Sequence, residues 1–138
     1  MDKQKILETC NAFSKGNLME TLEMEFVDVG ADFLSARMPV TPRVHQLHGV
    51  LHGGATVALA ETVGSAAVVV LNQDPQLSSV GFEISANHVR SISSGYVTAT
   101  AKPLHMGKNI QFWEIRVVDE EDNLISHCKL STFSRLKK

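Results

Sequence analysis

The segment of residues 55–71 constrains the fold more than any other part of the chain, because it is almost wholly apolar and contains a single charged residue, Glu61. Such a segment must be buried, either in a lipid bilayer or in the interior of a protein. It is at the short end of a membrane-spanning length, has a carboxylate at its centre, and contains more alanine, glycine, serine and threonine than leucine and phenylalanine. The segment therefore predicts a long helix buried inside a globular domain.

The remaining residues predict a β-sheet around that helix. A short amphipathic helix over residues 6–13 is followed by two strands in which apolar and polar residues alternate. Four more strands follow the long helix, and in the first of them Val80, Phe82, Ile84 and Ala86 are expected to share the buried face. The predicted strands cover residues 22–26, 34–40, 80–86, 96–102, 110–118 and 124–133. This order predicts an α+β fold, in which an antiparallel sheet wraps around one long central helix.

Composition limits the partners that the chain can have. Its 138 residues fit a single domain over residues 1–138, and 13 Lys+Arg against 15 Asp+Glu give a net charge of -2. No basic field attracts nucleic acid or an anionic membrane, so neither is expected as a partner. Cys10 and Cys128 lie far apart and outside any metal-binding spacing, and the N-terminus lacks the continuous apolar stretch of a secretory signal. A reduced, cytoplasmic setting is predicted.

Two features of the central segment are typical of a catalytic or binding site rather than of core packing. His52, Gly53 and Gly54 stand where a loop becomes the helix, so free backbone N–H groups of the first turn can bind an anion or a polarised carbonyl. A glycine hinge beside a solvated histidine is the structural alternative. Glu61 interrupts the apolar helix, and a poorly solvated carboxylate is costly to bury without a partner but is a stronger nucleophile. The alternative is that Glu61 lies on a narrow solvent-exposed strip of an otherwise buried helix.

A third cluster ends the first strand after the helix. It contains Asn87, His88 and Arg90, and the latter two are expected on the same side of the strand, where they can bind phosphate. A solvated strand end is the ordinary explanation. No spacing typical of a metal site, a nucleophile elbow or a phosphate-binding loop occurs in the chain. Metal and serine-triad chemistry are therefore not predicted.

Residues 48–55 (HGVLHGGA) and 59–65 (LAETVGS) resemble the hotdog thioesterases of the 4-hydroxybenzoyl-CoA and phenylacetate-pathway type, and especially the branch that serves menaquinone and enterobactin synthesis. The resemblance extends to residues 87–91 (NHVRS) and 102–107 (KPLHMG) and covers nearly the whole chain. Its most specific element is the HGG motif with a glutamate nine residues after its histidine. The sequence departs from the pattern at Leu47 and His48, where a proline and an aromatic residue are usual, so the acyl group stays open.

The resemblance implies a hotdog fold and the hydrolysis of a small, aromatic acyl-CoA thioester to free acid and coenzyme A. Glu61 would attack the carbonyl or activate water, Gln46 would orient the thioester, and the Gly53 N–H would polarise its carbonyl. Further roles are implied for water placement by Ser65, support of the loop by His52, substrate contact by His48, Gly54 and Val68, and binding of the coenzyme A nucleotide by Asn87, His88 and Arg90.

The resemblance also implies an assembly. Its members pair sheet edges in a two-fold dimer with the sites between chains, so a homodimer is expected, and a homotetramer as a dimer of dimers. No cofactor is expected, since coenzyme A is part of the substrate. Two other functions remain open at this point: a hotdog hydratase or dehydratase that uses His52, and a non-catalytic acyl-CoA-binding sensor that keeps the pocket.

Overall fold

Six strands form one antiparallel sheet that curves around a central helix in the computed structural model, which describes residues 1–138. The helices are α1 (Lys3–Phe13), α2 (Leu18–Thr21) and α3 (Gly53–Asn72), with a 3-10 turn at Pro42–Val44. The strands are β1 (Glu25–Val29), β2 (Leu34–Pro39), β3 (Leu77–His88), β4 (Tyr96–Met106), β5 (Ile110–Val118) and β6 (Leu124–Leu136). The order of the strands in the sheet is β1-β2-β4-β5-β6-β3.

Helix α3 is the long buried helix that the apolar segment predicted. One face of it packs on the inner face of the sheet through its most buried residues, which are Thr56, Leu59, Ala60, Val63, Gly64, Ala67 and Val68. By length and composition alone α3 could cross a membrane, but the core helices of globular proteins pass the same test. The small residue Gly64 permits close packing, because a methyl group there would lie 2.4 Å from Leu130 Cδ2. The α+β architecture with one long central helix is confirmed.

Strand β3 corrects one detail of the sequence prediction. Ile84 and Ala86 pack against the core as expected, but Val80 and Phe82 point away from α3 and are each 58% exposed. The cause is a β-bulge between Gly81 and Glu83, which changes the alternation of side chains in the middle of the strand. In the first half of β3 the inward positions are therefore taken by Leu77, Ser79 and Gly81 instead of Val80 and Phe82.

The other differences concern the ends of elements. Strand β1 begins at Glu25 and not at residue 22, because the short helix α2 precedes it and Leu22 is the residue that caps α2. Strand β4 continues past the predicted end at residue 102 to Met106, since a second bulge between Pro103 and His105 lets the strand accommodate the proline. Strands β3 and β6 are also longer than predicted, and they pair from Leu77 opposite Leu136 to His88 opposite Ser126, interrupted only by the bulge.

The two edges of the sheet differ in whether another part of the chain protects them. At the β1 edge, the Asn11 side chain of α1 accepts a hydrogen bond from the Phe26 N–H (2.7 Å) and donates one to the Phe26 carbonyl (3.1 Å). At the β3 edge, 12 residues run along the end of the sheet with no strand beyond them. A long unprotected edge strand is a template for pairing with another chain.

Candidate active site

The first turn of α3 leaves one backbone donor free. His52 is the N-cap residue, and its Nδ1 accepts a hydrogen bond from the Gly54 N–H at 2.8 Å. The His52 carbonyl accepts from the N–H groups of Ala55 (3.0 Å) and Thr56 (3.3 Å). The Gly53 N–H has no acceptor within the chain. Because the helix dipole adds positive potential at this end, the free N–H is suited to bind a carbonyl oxygen or an anion.

A cavity of about 340 Å³ opens beside this free donor, and we call it the helix-terminal cavity. It brings together the predicted residues Gln46, Gly53, His88 and Arg90. The other residues that line it are Val50, Leu51, Thr56, Val89, Ser91, Ile92 and Ile125. The cavity thus brings a free backbone N–H group together with an amide, an imidazole and a guanidinium.

Gln46 is held by a tight loop at the mouth of this cavity. Its N–H donates to the Val50 carbonyl (2.8 Å), and its own carbonyl accepts from the N–H of Gly49 (3.1 Å), which has a φ of 77° that favours glycine. Its side-chain carbonyl accepts a hydrogen bond from the His48 N–H. Leu47, at the tip, is 90% exposed. The loop therefore presents Gln46 from a fixed backbone and leaves an apolar side chain beside it.

Glu61 lies in a second and larger cavity of about 830 Å³, which we call the carboxylate cavity. Its lining comes mainly from α1, α2, β1, α3 and the start of β3, and Glu61 and Lys137 are its only charged residues. The Glu61 carboxylate makes no ion pair and no side-chain hydrogen bond within the chain. It lies close to Gly81, where a methyl group would be 2.7 Å from Oε2. A half-buried carboxylate without partners is available to a substrate or a water molecule.

The surroundings of Glu61 are mainly apolar. Burial raises the pKa of the Cys10 thiol, so that this group lines the cavity in its neutral form. Ser65, one helical turn after Glu61, also lines the cavity, and its carbonyl accepts a hydrogen bond from the Ser79 hydroxyl at 2.7 Å. The other apolar residues around Glu61 are Phe13, Leu18, Met19, Phe26, Ala58, Ala66, Val69, Val70 and Leu77.

The two cavities have no lining residue in common. Gln46 and Gly53 belong to the first, and Glu61 and Ser65 belong to the second. Glu61 follows Gly53 by eight positions, which corresponds to about 12 Å along the helix axis. Within one chain, the free N–H and the carboxylate are therefore too far apart to act on the same carbonyl group.

The residues predicted to contact the substrate differ in how accessible they are. Val68 is fully buried in the core and lines neither cavity, so we leave it out of the proposed site. The Gly54 N–H is already bonded to His52, and His48 is exposed at the loop tip. Asn87 is exposed, and its carbonyl accepts a hydrogen bond from the Ser126 hydroxyl.

Sequence reasoning missed three residues around the two cavities: Ser79, Gly81 and Ser126. Gly81 gave a signal, because a glycine inside an alternating strand often marks the close approach of another group. The serines gave none, since a serine in a strand is common. No group of three or more His, Cys, Asp or Glu side chains forms a candidate metal site.

Comparison with known proteins identifies the class. A family model described as the thioesterase superfamily matches residues 48–126, which include the HGG motif, Glu61 and the cluster at residues 87–91. The chain belongs to the thioesterase superfamily, and its hotdog fold agrees with the solved structures of thioesterases. The enzyme class, thioester hydrolase, follows from this membership and from the relatives below.

Particular relatives match nearly the whole chain. The proofreading thioesterase EntH of Cronobacter turicensis is 48% identical over 126 residues, which is 91% of each chain. The 1,4-dihydroxy-2-naphthoyl-CoA hydrolase of Escherichia coli is 45% identical over 131 residues, covering 94% of this chain and 96% of the relative. The crystal structure of a thioesterase from Haemophilus influenzae superposes with a TM-score of 0.90 at 40% identity, covering 94% of this chain and 90% of that one.

A Gly53→Ala substitution tests the helix terminus. Its methyl group would lie 2.8 Å from His88 Nε2 and must displace that ring, so kcat/KM for thioester hydrolysis is expected to fall about tenfold or more. Alanine is a better helix former than glycine, so the free energy of unfolding should fall by no more than about 1 kcal/mol. A kcat/KM equal to that of the wild type, measured beside denaturant unfolding, would contradict the prediction.

Proposed function

We propose that the protein hydrolyses a small, aromatic acyl-CoA thioester to the free acid and coenzyme A, with Glu61 as nucleophile or general base. One observation carries the proposal: the unpartnered Glu61 carboxylate lies in a mainly apolar cavity, on the same helix that leaves the Gly53 N–H free. Acyl transfer needs these two functions, an attacking group and a donor for the developing oxyanion. The names of the two curated relatives, a proofreading thioesterase and a naphthoyl-CoA hydrolase, support the same reaction.

The reaction has two forms that these residues can perform. As nucleophile, Glu61 adds to the thioester carbonyl carbon, the coenzyme A thiolate leaves, and water cleaves the resulting anhydride and restores the carboxylate. As general base, Glu61 removes a proton from water while the water oxygen adds to that carbon, and the departing thiolate takes up the proton. In both forms the Gly53 N–H stabilises the negative oxygen, Gln46 orients the thioester and Ser65 orients the water. No cofactor is required.

The proposed site is composite, with Gln46 and Gly53 from one protomer and Glu61 and Ser65 from the other. The separation of the two cavities within one chain supports this arrangement. The free β3 edge supports a two-fold dimer, because β3 strands from two copies can continue one sheet across the axis, whereas Asn11 protects the β1 edge. We further propose that two such dimers form a tetramer through the exposed outer-face side chains of Val80, Phe82, Phe112 and Phe133.

The acyl group is proposed to occupy the carboxylate cavity, whose lining is mainly apolar. The exposed side chains of Phe13 and Leu18, at its border, offer flat apolar surface to an aromatic ring. Coenzyme A is proposed to lie along the helix-terminal cavity, where His88 and Arg90 contact it, and to reach the exposed Asn87 next to them in the chain. Both cysteines are free thiols, which supports a reduced, cytoplasmic setting where coenzyme A thioesters are available.

The proposal is tested by the release of free thiol from a panel of coenzyme A thioesters that includes benzoyl, phenylacetyl, acetyl, hexanoyl and lauroyl groups. Release that is fastest with the aromatic members supports it. Binding without any release would instead define an acyl-CoA sensor. Loss of enoyl-CoA absorbance without thiol release would define a hydratase. Comparable rates with every acyl group would contradict the aromatic specificity alone.

The coenzyme contact has its own prediction. Arg90 lines the helix-terminal cavity and forms no ion pair within the chain, so Arg90→Ala is expected to raise KM about tenfold or more with a smaller effect on kcat. Added salt should raise KM less steeply in this variant than in the wild type. Arg116→Ala removes an exposed guanidinium from β5 that lines neither cavity and is the control. If both variants keep the wild-type KM, Arg90 is a solvated surface residue.

A further inference from the structure

A buried hydroxyl stands behind His88. Ser126 on β6 pairs with His88 on β3, and its side chain is fully buried. Its Oγ lies 2.9 Å from His88 Nδ1 and 3.2 Å from the Asn87 carbonyl oxygen. The Cys128 sulfur is farther away, at 3.5 Å. The ring of His88 is therefore anchored on its Nδ1 side by a group that the solvent cannot reach.

One position of the imidazole proton satisfies all of these contacts together. The Ser126 hydroxyl has one proton, and the Asn87 carbonyl can only accept, so the hydroxyl donates to that carbonyl. Both contacts are satisfied at once when Nδ1 carries a hydrogen and donates it to the Oγ lone pair. A neutral imidazole with its proton on Nδ1 has a lone pair on Nε2.

The Nε2 atom faces the helix terminus. A methyl group on Gly53 would be 2.8 Å from it, and both residues line the helix-terminal cavity. A thioester carbonyl oxygen can only accept hydrogen bonds, so it is no partner for a lone pair. The nearest donor on a coenzyme A thioester is the first amide N–H of the pantetheine arm, which is two methylene groups from the sulfur.

We propose that Ser126 is a positioning residue, which holds His88 with its Nε2 lone pair toward the helix-terminal cavity to accept a hydrogen bond from the pantetheine amide of the substrate. This inference rests on the proposed function and sharpens it. His88 fixes the coenzyme arm next to the thioester, the Gly53 N–H remains for the carbonyl, and Arg90 remains for a phosphate. The arm is thus held at both ends of the cavity by groups of different chemistry.

The first test is spectroscopic and needs neither substrate nor catalysis. Long-range ¹H–¹⁵N correlation spectra of histidine-labelled protein, recorded at about pH 8.5 where a histidine side chain is ordinarily neutral, distinguish the two tautomers. His88→Gln identifies the His88 signals. The wild type is expected to have the proton on Nδ1, Ser126→Thr to keep it there, and Ser126→Ala to move it to Nε2 in a large share of molecules. A wild-type His88 with the proton on Nε2 overturns the proposal.

The second test measures binding of free coenzyme A by titration calorimetry, together with KM and kcat. Ser126→Ala is expected to weaken the coenzyme A Kd and raise KM about tenfold while kcat changes about twofold at most, and Ser126→Thr should restore both. Ser35→Ala removes another buried hydroxyl, one bonded to Thr100 far from the cavity, and should change neither. Wild-type Kd and KM in Ser126→Ala would overturn the proposal.

Two variants of His88 cover the case in which Ser126→Ala fails to fold. Glutamine can place an acceptor near the Nε2 position, whereas asparagine reaches only toward Ser126. His88→Gln should therefore retain most of the coenzyme A affinity and His88→Asn should lose it; equal affinities would overturn the proposal. A chain that binds coenzyme A in this pattern but releases no thiol would contradict the proposed hydrolysis and leave the role of Ser126 intact.

Discussion

Glu61→Gln is expected to lower kcat by about two orders of magnitude or more. Glutamine keeps the shape of the side chain but can neither attack a carbonyl nor accept a proton from water. The carboxylate makes no hydrogen bond or ion pair within the chain, so its loss leaves no partner unsatisfied and the fold should be unaffected. The Kd of the acyl-CoA should stay close to that of the wild type, because glutamine keeps the volume of the side chain in the carboxylate cavity and the proposed coenzyme A contacts lie in the other cavity.

Steady-state and single-turnover kinetics measure this effect. Glu121→Gln is the matched control, since it removes an exposed carboxylate in the turn between β5 and β6 that lines neither cavity. Thermal unfolding of both variants excludes a loss of folded protein. A kcat in Glu61→Gln equal to that of the control would remove the central claim about the site.

Mixing two inactive variants is expected to recover about a quarter of the wild-type activity. In the composite site, Gln46 of one protomer faces Glu61 of the other, so a dimer of one Glu61→Gln chain and one Gln46→Ala chain contains one intact and one doubly damaged site. Random pairing of equal amounts makes roughly half of the dimers hybrid, and half of their sites are intact. Activity therefore rises from almost none in each variant alone to roughly one quarter of the wild-type value in the mixture.

The mixture is unfolded, co-refolded and compared with each variant refolded alone. Native mass spectrometry, with one chain isotopically labelled, measures the fraction of hybrid dimers independently of activity. The matched control mixes Glu61→Gln with Glu61→Gln,Gln46→Ala, a combination in which no pairing restores a complete site. Proven hybrids that are as inactive as this control would mean that the whole site lies within one chain.

The sequence predicted the elements that depend on local pattern. The apolar segment predicted α3, and alternation predicted β5 with its bounds, because both signals come from side chains that repeat along the chain. The inward orientation of Val80 and Phe82 was wrong, because the bulge at Gly81 changes the alternation without any change in composition. A bulge is fixed by the register with β6, and register is a property of two strands.

The residues of the candidate site also fall into those that local sequence pattern identifies and those that only the folded chain brings together. The HGG motif and Glu61 could be selected from one stretch, since glycines at a helix start and a charge in an apolar helix are local anomalies. Ser126 could not, because its hydroxyl meets His88 only after strands 38 residues apart have paired. The separation of Gln46 from Glu61 into two cavities also required the folded chain, since the two residues stand close together in the sequence.

The twelve-residue free edge of β3 links catalysis to protein concentration. If two copies join at this edge, a newly made chain contains every reactive group but has no complete site until it binds a second copy. Specific activity then follows the law of mass action: it falls as the protein is diluted below the dissociation constant of the dimer and returns on concentration. The monomer would then be an inactive precursor that dimerisation activates, and neither cleavage nor covalent modification would be needed.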